Sequence, residues 1–267
     1  MIVAAVDWHV LWQRIFHPDH AFTLALWRTI YIAVAAQFFG VLLGLVAALM
    51  RMSKLWPLRV LSGLYVLVFR GTPLIVQIFF VYLGANLLFG VNVIPNSLNL
   101  GVFQLDGAAF AGILALAINE GAYMREIIRA GIDAIEKGQM EAAKSLGMPY
   151  GLAMRRIVLP QAARVIVPPL GNEFNNMLKN TSLVAFIGVT ELFQDAEIGY
   201  SNTFKPVEYF AGVAFWYLVL TTVWTLIQAQ IERKLAVSER GEEPSFWERL
   251  QTVWSPGRMA ASGRGAR

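Results

Sequence analysis

Long apolar segments limit what this chain of 267 residues can fold into. Five of them lie roughly at 23–50, 60–88, 103–124, 165–190 and 207–230. A helix rises about 1.5 Å per residue, so each segment can cross the ~30 Å hydrocarbon layer of a bilayer. Hydrophobic residues make up 57% of the chain and charged residues only 15%, which is too apolar for a soluble surface. The segments lack the alternation of a barrel wall. The sequence therefore predicts an all-α integral membrane protein with five transmembrane helices.

The distribution of Lys and Arg predicts the orientation. If the N-terminus lies outside, the inner loops at 51–59 and 125–164 and the tail after 233 contain most of the basic residues. The outer segments then contain only Arg14, Arg28 and Lys205. Because cytoplasmic loops are enriched in Lys and Arg, we expect a multi-pass inner-membrane protein with a cytoplasmic C-terminus. The net charge of +4 is explained by this topology and by anionic lipid, which argues against nucleic-acid binding.

The two ends of the chain differ from the 23–233 transmembrane domain between them. Residues 1–22 lack the features of a cleavable signal peptide. Trp8, Trp12, Ile15 and Phe16 have near-helical spacing, which favours an interfacial helix on the outer leaflet over a disordered lead. Residues 234–267 predict a partly disordered cytoplasmic tail, with one short surface helix around 246–254.

A polar segment, EAAKSLGMPYGLAMRRIVLP, separates the third and fourth apolar runs at residues 141–160. Good helix formers precede Gly147, which can adopt a positive φ and end a helix. Pro149 then fits the first turn of a second helix. We therefore expect two short helices meeting at a glycine corner, within a loop of about 133–160. Pro160 predicts a break before the next membrane helix, and Pro168 and Pro169 predict bends inside it.

Ionisable residues within the apolar segments indicate a transport path. Arg70, Glu120 and Lys179 lie at or near membrane depth, where a charge costs about 2.5–3.5 kcal/mol unless it faces a cavity or a partner. An alternative is that Arg70 and Glu120 form a structural ion pair that joins two helices. Further polar residues predicted to line the path are Gln77, Asn176, Asn180, Thr181 and Ser182. Gly40 and Gly44 form a GxxxG step that predicts close helix packing.

The chain shows no sign of an enzyme, a catalytic residue or a metal site. Residues 138–145 nearly match a phosphate-binding loop, but Ala143 replaces its second glycine and the segment favours helix over strand. His17 and His20, the only close histidine pair, lie in a short polar lead and are expected to be exposed to solvent and not to bind a metal. Because the chain has no cysteine, disulfides and thiolate chemistry are excluded. A group of carboxylates in an outer loop is interpreted as solvated: Glu191, Asp195 and Glu197.

Residues 141–160 strongly resemble the cytoplasmic coupling loop of permease subunits of ATP-binding-cassette importers. The runs 70–84, 119–135 and 178–192 resemble the polar amino-acid branch of that family, the histidine, glutamine, glutamate and arginine permeases. The resemblance implies a type I importer permease fold. It also implies that the loop docks on an ATPase subunit through a set of residues: Glu141, Ala142, Ala143, Lys144, Gly147 and Arg155.

The same resemblance implies the partners. They are two separate ATPase subunits that bind ATP and Mg²⁺, a second permease subunit that is identical or related, an external solute-binding protein, membrane lipid and a polar amino-acid substrate. This chain would then bind no cofactor. The alternatives are a self-contained ion-coupled transporter or channel, which the absence of an obvious inverted repeat disfavours, and a structural membrane anchor.

Overall fold

The computed structural model describes residues 6–90, 93–99, 104–135 and 137–236 as a helical bundle with one short hairpin. In chain order, the helices and strands are α1 (Trp8–Phe16), α2 (His20–Met52), α3 (Trp56–Gly71), α4 (Leu74–Phe79), α5 (Ala85–Phe89), β1 (Ser97–Asn99), β2 (Gln104–Asp106), α6 (Gly107–Asp133), α7 (Lys137–Ser145), α8 (Tyr150–Ala153), α9 (Leu159–Asn180), α10 (Leu192–Thr203) and α11 (Pro206–Ala236). The tail helix predicted around 246–254 lies outside the described residues.

Three further segments connect these elements. A π-helical turn, Phe80–Gly84, joins α4 to α5, and a second, Met154–Val158, joins α8 to α9. A 3₁₀-helix, Thr181–Ile187, follows α9 directly. Strands β1 and β2 pair antiparallel, with Leu98 opposite Leu105. The first π-turn lies in the second apolar segment, the second lies in the polar segment at 141–160, and the 3₁₀-helix lies in the fourth apolar segment.

Three helices in the described ranges are long and apolar enough to cross a membrane: His20–Met52, Gly107–Asp133 and Pro206–Leu235. The bent pair Trp56–Gly71 and Leu74–Leu88 adds a fourth if it forms one span. Helix α9, which corresponds to the predicted span at 165–190, is too polar to meet the same criterion. The count of five spans therefore stays a prediction.

The second apolar segment is not one continuous helix, which corrects the span predicted at 60–88. The helix axes on the two sides of the break differ by 109°. Thr72 is extended, with φ −120° and ψ 150°, and Pro73 follows it. Proline disfavours helical geometry in the preceding residue and has no N–H to donate. The Gln77 side chain closes the break, because its Nε2 donates to the carbonyls of Phe69 at 2.9 Å and Thr72 at 3.1 Å.

Helices α2 and α6 pack side by side along the centre of the bundle. A Cβ added at Gly40 would lie 2.6 Å from Cγ of Glu120, and one added at Gly44 would collide with Met124. The pairing of 40 with 120 and 44 with 124 shows that the two helices run parallel. The close packing predicted from the GxxxG step is confirmed. The hairpin, α1 and the start of α10 consequently lie at one end of the bundle, the hairpin end, and α7 and α8 lie at the other, the loop end.

Two of the three carboxylates interpreted as solvated, Glu191 and Asp195, are buried at the hairpin end, which corrects the interpretation for them, whereas Glu197 is partly exposed. Glu191 is fully buried at the N-terminus of α10, where it accepts hydrogen bonds from two backbone N–H groups of that helix. Its other oxygen accepts from the Tyr217 hydroxyl at 2.7 Å. Asp195 is buried one turn later and pairs with Arg14 at 3.1 Å. These residues hold α10 against α1, α2 and α11.

Candidate functional site

The loop between α6 and α9 forms the two predicted helices and the predicted glycine corner. Gly147 ends α7 with φ +76°. Its N–H donates to the Lys144 carbonyl at 2.9 Å, and the N–H of Met148 donates to the Ala143 carbonyl at 3.0 Å. These two bonds form a Schellman motif, in which a left-handed residue satisfies the last carbonyls of a helix. Pro149 then caps the start of α8. The corner therefore has one defined conformation.

The two loop alanines differ in their accessibility. Ala142 is exposed, whereas Ala143 has only 1% of its surface exposed. Ala143 is therefore covered by this chain itself and cannot offer its side chain to a partner, which corrects the surface predicted for it. Two large apolar side chains are open instead: Leu146 is 81% exposed and Tyr150 is 59% exposed.

The charged residues predicted at the rim of the loop are exposed. Glu141 and Lys144 lie on the open side of α7, and Arg155 lies in the π-turn after α8. Leu146, Tyr150 and these three charged residues are all exposed in the same loop. We refer to these five residues as the loop patch.

The helix that begins at Tyr150 continues through Pro160 to Asn180, so the break predicted at Pro160 is wrong. The π-turn Met154–Val158 precedes this proline. The extra residue in a π-turn shifts the hydrogen-bond register, and the N–H of Leu159 donates to the Met154 carbonyl. This shift provides an explanation for how the helix accommodates a residue that lacks an N–H. Helix α9 also continues past Pro168 and Pro169.

A cavity of about 520 Å³ lies between α4, α6, α9 and the 3₁₀-helix. We refer to it as the main cavity. Four of the predicted path residues line it: Glu120, Asn176, Lys179 and Asn180. Four other polar or aromatic residues line it as well: Thr72, Asn119, Tyr123 and Glu173. The cavity therefore contains two carboxylates, one ammonium and several amides.

Glu120 and Arg70 do not pair in this structure, so the proposed structural pair is wrong. The Glu120 carboxylate accepts a hydrogen bond from Gln37 Nε2 at 3.0 Å. The Arg70 guanidinium instead lies 4.9 Å from the centre of the Tyr123 ring. Arg70 is exposed in this single chain and is close enough to Glu173 to interact with it electrostatically. It therefore borders the cavity without lining it.

Three other predicted path residues do not line this cavity. Gln77 is buried and holds the break after α3. Thr181 is fully buried and its hydroxyl donates to the Leu178 carbonyl at 2.8 Å. Ser182 lines a second, more apolar cavity of about 410 Å³, which it shares with Lys179 and Tyr217. Lys179 thus lies at the boundary of both cavities.

Thr72, Asn119 and Tyr123 line the main cavity but were not among the residues predicted to line the path. Thr72 is identifiable in principle, because the Thr-Pro step marks an interrupted helix whose polar backbone cannot face lipid. Asn119 and Tyr123 carry no such signal. Within the described residues, no group of three or more His, Asp or Glu side chains could hold a metal ion.

Comparison with known proteins decides the family. The family model described as "Binding-protein-dependent transport system inner membrane component" matches residues 40–237. The chain belongs to this family. It is 38% identical over 252 residues to the arginine transport system permease protein ArgU of Corynebacterium glutamicum, covering 87% of this chain and 77% of that protein. It is also 38% identical over 232 residues to the L-cystine transport system permease protein TcyB of Bacillus subtilis, covering 86% and 92%.

Solved structures agree with this assignment. A crystal structure of an amino acid ABC transporter with histidines superposes with a TM-score of 0.74 at 40% identity, covering 86% of this chain and 99% of that chain. The inward-facing MetNI methionine ABC transporter superposes with a TM-score of 0.64 at 17% identity, covering 80% and 96%, and supports the fold alone. The predicted type I importer permease fold is confirmed. The chain is an ABC permease subunit, and the alternative of a self-contained ion-coupled transporter is not supported.

Proposed function

We propose that this chain carries polar amino acids inward across the bacterial inner membrane as one permease subunit of an importer. A second permease subunit, identical or related, completes the path, and an external solute-binding protein delivers the substrate. Two ATPase subunits bind ATP and Mg²⁺ and supply the energy. This chain itself catalyses no covalent chemistry. Names of relatives such as the arginine and cystine permeases support an amino-acid substrate.

The main cavity is the observation that carries the proposal. An amino acid has an ammonium and a carboxylate a few ångströms apart. Glu120 and Glu173 match the ammonium, and Lys179 matches the carboxylate, within one cavity of about 520 Å³. Burial of Glu120 strengthens its interaction with an opposite charge, and the cavity amides offer further hydrogen bonds. Its volume lies in the usual range for small-molecule sites.

The loop patch is where the ATPase subunit docks in this proposal. Leu146 and Tyr150 supply apolar area, because each leaves more than half of its surface uncovered. Glu141, Lys144 and Arg155 supply charges at the border. This arrangement follows the usual anatomy of an interface, which has an apolar centre and a polar rim. Gly147 fixes the angle between the two helices that carry the patch.

The proposed orientation places the hairpin end outside and the loop end in the cytoplasm. Since the chain has no native cysteine, single cysteines can test it directly. Glu141 and Ser201 are both exposed and lie at opposite ends of the bundle. We expect a membrane-impermeant maleimide to label Ser201→Cys in intact cells and Glu141→Cys only after permeabilisation. Labelling of both from the same side contradicts the proposed topology.

The composition and energy requirement of the purified complex test the function. The full complex is isolated through a tag on this chain and reconstituted into proteoliposomes with the binding protein. We expect an ATPase to co-purify with this chain. We also expect uptake of a radiolabelled polar amino acid to require ATP on the side of the membrane that carries the ATPase subunits. Uptake by this chain alone, driven by an ion gradient, would refute the proposal and favour the ion-coupled alternative.

A further inference from the structure

Helix α1 is attached to the α10–α11 corner by an arginine, Arg14, whose side chain is only 13% exposed. The Arg14 guanidinium pairs with Asp195 at 3.1 Å and lies 4.2 Å from the centre of the Tyr209 ring. The side chain passes between two glycines, one on each helix of the corner. A Cβ added at Gly199 would lie 2.8 Å from Nη2 of Arg14, and a Cβ added at Gly212 would lie 2.9 Å from Cβ of Arg14. The corner thus has a slot that fits this side chain.

A second attachment holds the beginning of α1. The Asp7 carboxylate accepts a hydrogen bond from Lys205 Nζ at 2.6 Å, and the Asp7 N–H donates to Glu208 Oε1 at 2.7 Å. The hydrogen bond from Lys205 lowers the pKa of Asp7, and the same bond raises the pKa of Lys205. Asp7 therefore stabilises this contact at pH values above the ordinary pKa of an aspartate and loses that contribution as the pH falls, whereas Lys205 contributes below the ordinary pKa of a lysine and loses its contribution as the pH rises. The attachment persists throughout the neutral pH range.

The remaining surface of α1 is divided into two faces. At about 100° per residue, Trp8, Trp12 and Phe16 share one side of the helix. They are 73%, 58% and 54% exposed, respectively. His9 and Gln13 are exposed on the adjacent side. The helix therefore turns its arginine toward the protein and its tryptophans away from it, the opposite of a helix that packs on a soluble domain.

The aromatic face of α1 continues onto α11. The ring centroids of Phe16 and Phe215 are 6.4 Å apart, and Leu218, one turn farther along α11, is 64% exposed. The apolar window of α11 is only 11% buried inside this chain. Exposed apolar surface of this extent on a membrane-spanning helix requires lipid or another protein to cover it. The two helices share one uninterrupted apolar surface.

We propose that α1 lies in the lipid interface of the leaflet at the hairpin end, and that Arg14 thereby fixes the α10–α11 corner at that depth. The exposed aromatic face of α1 is covered by lipid at the boundary between headgroups and acyl chains. Tryptophan is enriched at this boundary because its ring is apolar and its N–H is polar. The three sides of α1 match three environments: lipid for Trp8, Trp12 and Phe16, water for His9 and Gln13, and protein for Arg14.

Nitroxide labels on single cysteines test the location of α1. Trp12→Cys and Gln13→Cys are neighbours on different faces and serve as a matched pair, and Phe16→Cys checks the aromatic face without changing a tryptophan. The full complex is labelled in liposomes, and accessibility is measured with oxygen, which partitions into lipid, and with a water-soluble nickel chelate. We expect positions 12 and 16 to favour oxygen and position 13 to favour nickel. Preference for nickel at all three positions, or protection from both reagents at 12 and 16, contradicts a lipid-covered face.

The arginine attachment is tested separately. A nitroxide at Ser201→Cys, on the exposed side of α10, reports the mobility of the corner. We expect Arg14→Gln to convert its spectrum to a more mobile form, because the Asp195 pair and the Tyr209 contact are lost. Gln13→Ala, which changes only an exposed side chain of the same helix, is the control. An unchanged spectrum in Arg14→Gln shows that α1 does not hold the corner and overturns that part of the proposal.

Discussion

Replacement of Gly147 by valine tests whether the loop corner couples ATP hydrolysis to transport. Gly147 has φ +76°, and a Cβ added there meets no atom within 4 Å. The cost is therefore backbone strain alone and not a collision. A left-handed conformation costs a residue with a Cβ about 1–2 kcal/mol, and a β-branched residue is disfavoured further. Each 1.4 kcal/mol changes an equilibrium constant about tenfold. The population of the native corner therefore falls by about fivefold to thirtyfold relative to other conformations of the loop.

The assay compares this variant with two matched controls. Gly147→Asn keeps a residue that tolerates the left-handed region, and Gly151→Ala adds a Cβ in helix α8 where it also meets nothing within 4 Å. Each variant is measured by pull-down of the ATPase and by ATP hydrolysis stimulated by loaded binding protein in proteoliposomes. We expect Gly147→Val to insert normally but to lose the ATPase or most of the stimulation. Gly147→Asn and Gly151→Ala should remain close to the native protein.

The pattern across the three variants decides the outcome. If Gly147→Val transports at the native rate, the left-handed corner is not needed for coupling. If Gly151→Ala fails as severely as Gly147→Val, the loop is sensitive to any added atom, and the argument from φ is refuted. Reduced membrane insertion of Gly147→Val alone would place the defect in folding, which fluorescence-detected size exclusion separates from docking.

Three further substitutions follow from burial, charge and packing. Ala143→Asp buries a charge within the loop and should cost several kcal/mol and make the loop protease-sensitive, whereas Ala142→Asp at the exposed neighbour should leave it folded. Lys179→Met should reduce amino-acid uptake while ATPase assembly persists, and unchanged uptake kinetics would assign Lys179 to structure. Gly44→Ala should destabilise the α2–α6 contact by about 1–3 kcal/mol, measured as a lower unfolding temperature, because its Cβ would meet Met124. Gly63→Ala is the control, since nothing lies within 4 Å of its Cβ.

Features that depend on nearby residues were predictable from the sequence. The apolar segments, close helix packing at Gly40 and Gly44, and the helix stop at Gly147 each follow from a local pattern with a physical cause. A left-handed glycine after a helix needs only the helix before it. Likewise, two small residues one turn apart allow close approach whatever helix packs there.

Features that depend on distant partners were not predictable. Asp195 was interpreted as solvated because other carboxylates surround it in sequence, yet Arg14, 181 positions away, pairs with it. Gln77 was predicted to line the path because it is polar in an apolar segment, yet its Oε1 accepts a hydrogen bond from Asn119, 42 positions away. Its function depends on the direction of the chain after Pro73, which bends by 109°. Proline indicates that a helix ends or bends, but the direction of the bend is set by packing.

One uninterrupted helical segment contains Tyr150 and Arg155 of the loop patch as well as four residues that line the main cavity: Glu173, Asn176, Lys179 and Asn180. This continuity is the structural basis for treating the two features as parts of one mechanism. From Tyr150 to Asn180 the segment is about 45 Å long at ~1.5 Å per residue. Two side chains of α11 hold its middle: Trp224 Nε1 donates to the Gly171 carbonyl at 2.7 Å, and Gln228 Nε2 donates to the Pro168 carbonyl at 3.1 Å. Had the chain broken at Pro160, movement of the loop would be absorbed by a flexible joint. Because the helix continues and is held by α11 partway along, we expect a displacement at its loop end to move the end that carries Lys179.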